Sequence, residues 1–368
     1  MNPRLKQLRD LGQSLWLDNI TRDLLDSGTL ARYIGDYGLT GLTSNPTIFD
    51  EALGHGSAYD AGIRDKHAAG LDAEALFLEL ALEDLRRAAD LFQPAHQASG
   101  GVDGWVSMEL SPLLASDTAK SIEAAARIHR QGARDNLFIK IPGTPEGVPA
   151  IEESIFNGVP INVTLLFSAE QYTAVAEAYM RGIERRLQAG RDPVVTSVAS
   201  LFVSRWDKAV AGKVPDELND RLGIAVGQRA YRAYRQLLAS ERWQRLAAAG
   251  ARVQRLLWAS TSTKNPAAPD TLYVSALAAP DTIDTVPEKT LAAFADHGEA
   301  AGAMAMDGGD CDAVLEQFAK AGIDVDALAA RLQVEGAQSF VKSWKQLMQR
   351  IEGKMAAAGG ESSRERPA

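Results

Sequence analysis

The sequence predicts an α/β protein whose strands close into a TIM-type (β/α)8 barrel with additional C-terminal helices. Three observations carry that expectation. Short apolar runs alternate with amphipathic stretches about eight times along 368 residues, and such alternation builds a parallel sheet with crossover helices. Polar residues recur where the apolar runs end: Asp18, Asn45, Glu109, Lys140, Asn162 with Thr164, Ser200 and Ser260. No Gly-x-Gly-x-x-Gly follows a strand, which leaves the alternative, an open doubly wound sheet, without its dinucleotide fingerprint.

Taken in order, residues 3 to 12 read as an amphipathic helix with Leu5, Leu8 and Leu11 at helical spacing. SLWLDN is the first strand, with Ser14, Trp16 and Asp18 on its inward face. SGTLARYIGDYG is helical, with Ser27 as its N-cap and Gly38 as its stop. GLTSN is the second strand, over 41 to 45, closed by Asn45-Pro46. A helix over about 47 to 69 and a stronger one from near Asp72 lead to GWVSMELSP, the third strand, with Trp105, Ser107 and Glu109 inward. A helix from about Ser116 to Gly132 precedes NLFIKIPGT, where Asn136, Phe138 and Lys140 share a face.

The period then repeats. A short helix starts near Pro145. INVTLLFS is strand five, with Asn162, Thr164 and Leu166 on one face. A helix capped by Ser168 and stopped by Gly190 leads to PVVTSVASLF, strand six. Residues 203 to 248 hold a loop and a long Ala/Arg-rich helix. VQRLLWASTST is strand seven and runs out at Ser260, and TIDTVP is strand eight. A helix over about 287 to 297 follows, and residues 310 to 356 are almost purely helical and should pack outside the barrel. Residues 1–356 are expected to form one domain, and 357–368 a flexible tail.

Composition excludes several function classes. With 46% hydrophobic and 24% charged residues the chain is ordinary globular protein. A net charge of -9 argues against nonspecific nucleic-acid binding, although a few placed cations suffice for a small anionic substrate. A single cysteine, Cys311, permits no intrachain disulfide and fits a reducing compartment. The N-terminal stretch lacks an apolar h-region, and no apolar run is long enough to span a membrane. A cytoplasmic location without membrane partners is therefore expected. His55, His67, His96, His129 and His297 are scattered without metal-ligand spacing, so no metal site is expected. The oligomeric state stays open between monomer and homodimer.

Any one of the polar strand ends could simply begin a loop. Asp caps helices, Asn-Pro starts turns, serine is a common turn residue, and a strand-end lysine can reach solvent along its own stem. As a set they make chemical sense. In a barrel the C-terminal strand ends converge on one rim. A buried lysine is disfavoured in its charged form, and its free amine can form a Schiff base with a carbonyl. Glu109 is a carboxyl suited to relay protons for that condensation, through water held by Thr164. Asp18 is a second carboxyl, suited to accept the proton of a hydroxyl beside a breaking carbon–carbon bond. Asn45 and Asn162 can hold hydroxyls without ionising. Ser200 with Arg205, and Ser260 with Lys264, pair hydroxyls with cations as a phosphate clamp does.

With these residues assembled, the chain resembles the transaldolase family in its longer bacterial type. The matching segments are LWLDNITRDLL, GLTSNPTIF, VSMELSP, NLFIKIPGT, INVTLLFS, SVASLFVSRWD and LLWASTSTKNP, in family order over residues 15 to 266, with LYVSALAAPDTIDTVPEKTLAAFADHG beyond them. The resemblance implies an α/β barrel that uses no cofactor. It implies transfer of a dihydroxyacetone unit between ketose and aldose phosphates, as in the pentose phosphate pathway (sedoheptulose 7-phosphate and glyceraldehyde 3-phosphate to erythrose 4-phosphate and fructose 6-phosphate). Carried over by motif, Lys140 is the Schiff-base nucleophile, Asp18 the base and Glu109 the relay. Thr164 holds the catalytic water, Asn45 and Asn162 the dihydroxyacetone unit, and Ser200, Arg205 and Ser260 the phosphate. The chain departs from the pattern at one place. Better-known relatives carry arginine two residues after the serine that here is Ser260. This chain has Ser262 there and Lys264 two further on, so Lys264 is expected to supply the second phosphate cation. The closest rival is a class I aldolase that releases free dihydroxyacetone. A non-catalytic sugar-phosphate binder is the rival from another class.

Overall fold

The computed structural model describes residues 1–362 except His55 and Ala301, with side chains described to residue 358. The first helix, α1 (Pro3–Asp10), is capped by the Asn2 side chain, which accepts from Arg4 N at 2.9 Å. β1 (Gln13–Leu17), α2 (Arg22–Asp26) and α3 (Thr29–Tyr37) follow. β2 (Gly41–Leu42) leads to α4 (Pro46–Gly54), α5 (Asp60–Ala68) and α6 (Ala73–Ala98). Then come β3 (Trp105–Glu109), α7 (Thr118–Gly132), β4 (Leu137–Pro142), α8 (Gly147–Phe156), β5 (Ile161–Leu166), α9 (Ala169–Gln188) and β6 (Ser197–Phe202). Three helices, α10 (Ser204–Val210), α11 (Leu222–Ala239) and α12 (Glu241–Ala248), precede β7 (Arg255–Ala259). α13 (Leu272–Ala276) precedes β8 (Thr282–Val286), and α14 (Glu288–His297), α15 (Cys311–Lys320) and α16 (Val325–Ser362) complete the described chain.

The eight strands pair in sequence order, all parallel, and β8 returns to β1. This is the closed (β/α)8 barrel. Its interior is stacked in tiers, because inward residues of neighbouring parallel strands lie side by side. At the N-terminal end Arg255 donates to Ser14 Oγ at 2.6 Å and to Asp103 Oδ1 at 3.0 Å. Above that lies an aromatic tier, in which the Trp105 and Phe138 rings stack at 4.0 Å and Trp16 tilts against Phe138 at 6.2 Å. Gly41 has to be glycine beside this tier. A Cβ there would sit 2.6 Å from the Trp16 ring and 2.7 Å from the Trp105 carbonyl. The next tiers are polar and carry the candidate site.

Several expectations are corrected. β2 has only two residues, because the chain leaves the ladder after Leu42. The single helix expected over 47 to 69 is two, α4 and α5. The sequence reading missed α2, which Thr21 caps, and Ser27 lies at that helix's C-terminal end rather than capping α3. Gly28 occupies the α3 cap with φ 70°. In β5, Leu166 does not share a face with Asn162 and Thr164. Leu165 adopts φ 59° and the register shifts between Val163 and Leu166. A Cβ on Gly143 would meet both Leu166 and Val163 with Val175 of α9, so Leu166 points to the helix layer. A bulge of this kind re-aims the side chains that follow it.

The C-terminal helices do more than pack outside. α16 lies against α4, α5 and α6 and reaches β5 at the barrel mouth. There Gln333 donates to the carbonyls of Gly143 and Leu165, each at 3.0 Å. Thr47 donates to Ser343 at 2.8 Å, and Arg350 and Lys354 pair with Asp50 and Asp60. The tail expected from residue 357 falls partly on α16, and 363–368 lie outside the described residues, as does His55. No helix among the described residues is long and apolar enough to cross a membrane.

Candidate active site

Three neighbouring strands bring Glu109, Lys140 and Asn162 to one level, through the pairings Glu109↔Lys140 and Lys140↔Asn162. Lys140 is 5% exposed, and its Nζ lies 3.2 Å from Glu109 Oε2 and donates to the Ser44 carbonyl at 3.1 Å. Two charges buried together need each other, since either alone would carry the full desolvation cost. The approach to Glu109 is an ion-pair contact rather than an aligned hydrogen bond, and Oε2 has no hydrogen-bond partner among the described residues. Burial pushes the Glu109 carboxyl above its ordinary range, an effect that Lys140 opposes and the more distant Asp18 reinforces.

Two hydroxyls fix the Asn162 amide beside Lys140. Ser200 Oγ donates to Oδ1 at 2.7 Å, and Nδ2 donates to Ser107 Oγ at 3.1 Å. Thr164, one pleat further along β5, is fully buried, and its Oγ1 has no partner among the described residues. A buried hydroxyl without a partner is costly unless a ligand or water meets it.

Asp18 stands one residue beyond β1 and accepts from Thr43 Oγ1 at 2.8 Å. Thr43 Oγ1 in turn lies 2.8 Å from the Thr285 hydroxyl. Desolvation raises the Asp18 carboxyl, while Lys140, the Thr43 bond and Lys264 pull it down. Asn45 serves two purposes: its Oδ1 accepts from Ile48 N at 3.1 Å, closing the first turn of α4, and it also lines the cavity.

That cavity, of about 380 Å³, opens at the C-terminal rim. Asp18, Asn45, Lys140, Thr164, Ser200, Arg205, Ser260 and Lys264 all border it. Glu109 and Asn162 stand behind this wall, against Lys140 and Ser200. Ser260 holds φ 58° and lies 3.0 Å from Ser204 Oγ through its hydroxyl. Arg205 and Lys264 face the same end. Burial lowers both, and for Lys264 the cations Lys208 and Arg205 add to the shift. Neither Arg205 nor Lys264 forms an ion pair with a carboxylate among the described residues, and Lys264 donates to the Ser262 hydroxyl. Cations so placed beside hydroxyls form a receptor for an anion.

Sequence reasoning put Ser107 on the inward face of its strand but gave it no role, and it missed Thr43 and Thr285, whose hydroxyls lead to Asp18, and Phe340, which reaches the cavity from α16. It also missed Asp284. The pairings Leu15↔Asp284 and Trp258↔Asp284 turn Asp284 away from the barrel interior, fully buried. Its Oδ1 accepts from Thr261 at 2.9 Å, its Oδ2 has no partner among the described residues, and burial pushes its carboxyl up to about 7. The inward–outward alternation of TIDTVP held a signal for Thr285, but nothing in α16 marked Phe340.

A family model described as Transaldolase/Fructose-6-phosphate aldolase matches residues 15–351. The chain belongs to this family. It is 44% identical over 368 residues to the transaldolase of Thermobifida fusca, covering 97% of this chain and 100% of the relative. Identity to the transaldolase of Mycolicibacterium smegmatis is 43% over 366 residues, covering 97% and 99%. For the transaldolase of a Parafrankia species it is 42% over 367 residues, covering 97% and 100%.

Proposed function

We propose that the protein is a transaldolase, transferring a dihydroxyacetone unit between ketose and aldose phosphates through a Schiff base on Lys140. The observation that carries the reading is the burial of Lys140 beside Glu109 at the mouth of a barrel whose similar full-length relatives are transaldolases. The free amine of Lys140 adds to the ketose carbonyl to give a carbinolamine. Glu109 moves the protons, through a water held by Thr164, as hydroxide leaves as water and the iminium forms. Asp18 accepts the O4 hydroxyl proton. The C3–C4 electron pair flows into the iminium, giving an enamine, and O4 becomes the carbonyl oxygen of the departing aldose phosphate. Asn45 and Asn162 hold the three-carbon unit until an acceptor aldehyde enters and the steps reverse. Ser200, Ser260, Arg205 and Lys264 receive the phosphate, with Lys264 as the second cation. The chemistry calls on no cofactor. The ketose phosphates are small anions, in keeping with the cation-bordered end of the cavity.

The test couples fructose 6-phosphate and erythrose 4-phosphate to detection of glyceraldehyde 3-phosphate, alongside borohydride trapping with fructose 6-phosphate. Transfer in the first arm and a reduced adduct on Lys140 in the second are expected. Release of dihydroxyacetone at the same rate with and without acceptor makes the protein an aldolase instead. Absence of an adduct, or full transfer by Lys140→Ala, overturns the mechanism.

A further inference from the structure

Arg205 is held by neither carboxylate nor carbonyl. Among the described residues none forms a hydrogen bond or close ion pair with its guanidinium, and Glu109 acts on it only at longer range. What flanks it is aromatic. Its Cζ lies 5.0 Å from the centre of the Phe202 ring and 5.8 Å from that of Phe340. Phe202 comes from β6, whereas Phe340 comes from α16, some 135 residues away in the chain. Both rings are nearly buried, at 7% and 6% exposure.

One turn before Phe340, α16 carries Gly336. A Cβ there would sit 2.9 Å from Leu165 Cδ2 and 3.3 Å from Arg205 Nη1. Another turn back, Gln333 ties the helix to the Gly143 and Leu165 carbonyls. Residues at i, i+3 and i+7 share a helix face. One face of α16 therefore anchors the helix to the mouth, leaves space for the guanidinium and sets a ring against it.

We infer that Phe340 is a positioning residue for phosphate recognition: with Phe202 it fixes the Arg205 guanidinium by its faces, leaving the N–H edges for the phosphate of the substrate. Ring faces attract a guanidinium without consuming its donors, whereas a carboxylate partner would occupy the fork that a phosphate needs. The helix thus takes part in choosing phosphorylated over unphosphorylated sugars. The inference rests on reading the cavity as a ketose-phosphate site.

The experiment measures transfer from fructose 6-phosphate and from unphosphorylated fructose, with erythrose 4-phosphate as acceptor, in wild type, Phe340→Leu, Phe340→Tyr, Arg205→Ala and the Phe340→Leu/Arg205→Ala double variant. The ratio of the two kcat/KM values should fall about tenfold in Phe340→Leu, chiefly through KM for fructose 6-phosphate, and Phe340→Tyr should restore it. In the Arg205→Ala background Phe340→Leu should change the ratio no further. Binding of inorganic phosphate, followed by calorimetry, should weaken in parallel. An unchanged ratio in Phe340→Leu, or a second tenfold fall in the Arg205→Ala background, overturns the inference. Borohydride trapping of the wild type separates the two levels: no adduct there defeats the catalytic reading, whereas an adduct with an unchanged ratio defeats only the role of Phe340.

Discussion

The Nζ of Lys140 and the Oε2 of Glu109 lie 3.2 Å apart, inside the barrel and on adjacent strands in direct register. A carboxyl so placed can exchange protons with the amine and with whatever the amine binds. Glu109→Gln keeps the volume and removes the proton transfer. We expect kcat to fall roughly 100-fold or more, with the borohydride adduct on Lys140 forming more slowly but to completion. Full-rate adduct formation in rapid-quench experiments would remove Glu109 from the mechanism.

Thr43 holds Asp18 by a 2.8 Å hydrogen bond that favours the carboxylate. Removing it with Thr43→Val raises the Asp18 pKa further. If Asp18 must be ionised to act as base, the acid limb of kcat against pH moves to higher pH in the variant. A limb that stays in place, or moves down, would show that another group sets it.

Asp284 is a buried carboxyl raised from 3.8 to about 7. An acid whose folded pKa lies above its unfolded value contributes stability below the unfolded pKa and loses that contribution as pH rises through the folded one. Between those values the slope is about -1.4 kcal/mol per pH unit, so about 2 kcal/mol is lost from pH 5.5 to 7. Asp284→Asn keeps an acceptor for Thr261 and cannot ionise. The Tm of the variant minus that of wild type should therefore increase from pH 5.5 to pH 8.5. A constant difference across that range would contradict the assignment.

Gln333 satisfies the Gly143 carbonyl just after β4 and the Leu165 carbonyl at the β5 bulge, and Gln333→Ala strands both. A cost of about 1–3 kcal/mol in stability is expected. The enamine must also be kept from water, and a loosened α16 admits it. The ratio of free dihydroxyacetone to transferred product should rise in the variant, measured with fructose 6-phosphate as donor and a limiting acceptor. A stability loss without any rise would confine Gln333 to structure.

The barrel was legible because its strands repeat one pattern: an apolar run with a polar residue near its end. The alternation of NLFIKIP put Lys140 on one face with Phe138 but did not show its burial, because Leu137, Ile139 and Ile141 make the other face just as apolar. The stack of Phe138 on Trp105 shows which face turns inward. Leu166 shows the limit. Alternation assumes extended backbone throughout, and one residue with positive φ at Leu165 overturned it. Phe340 shows another limit. Its contact with Arg205 is long-range, and a helix's periodicity reports which face is buried without reporting what lies opposite. Asp284 was invisible for a third reason: a carboxyl in TIDTVP reads as polar whether it meets solvent or a buried threonine.

The early exit of β2 has a stoichiometric consequence. Because the chain leaves the ladder after Leu42, the Ser44 carbonyl is free to accept from Lys140 at 3.1 Å, while Glu109 Oε2 lies 3.2 Å from the same nitrogen. An ammonium carries three hydrogens and a protonated imine carries one. The hydrogen left after covalent capture of the ketone is expected to stay with the Ser44 carbonyl, because Glu109 faces the nitrogen through charge alone and is left to meet the departing water. An isotope-edited infrared band of a carbon-13-labelled Ser44 carbonyl that holds its frequency when the adduct forms would bear this out. A shift to the frequency of an unbonded carbonyl would mean that the nitrogen keeps Glu109 and abandons the backbone.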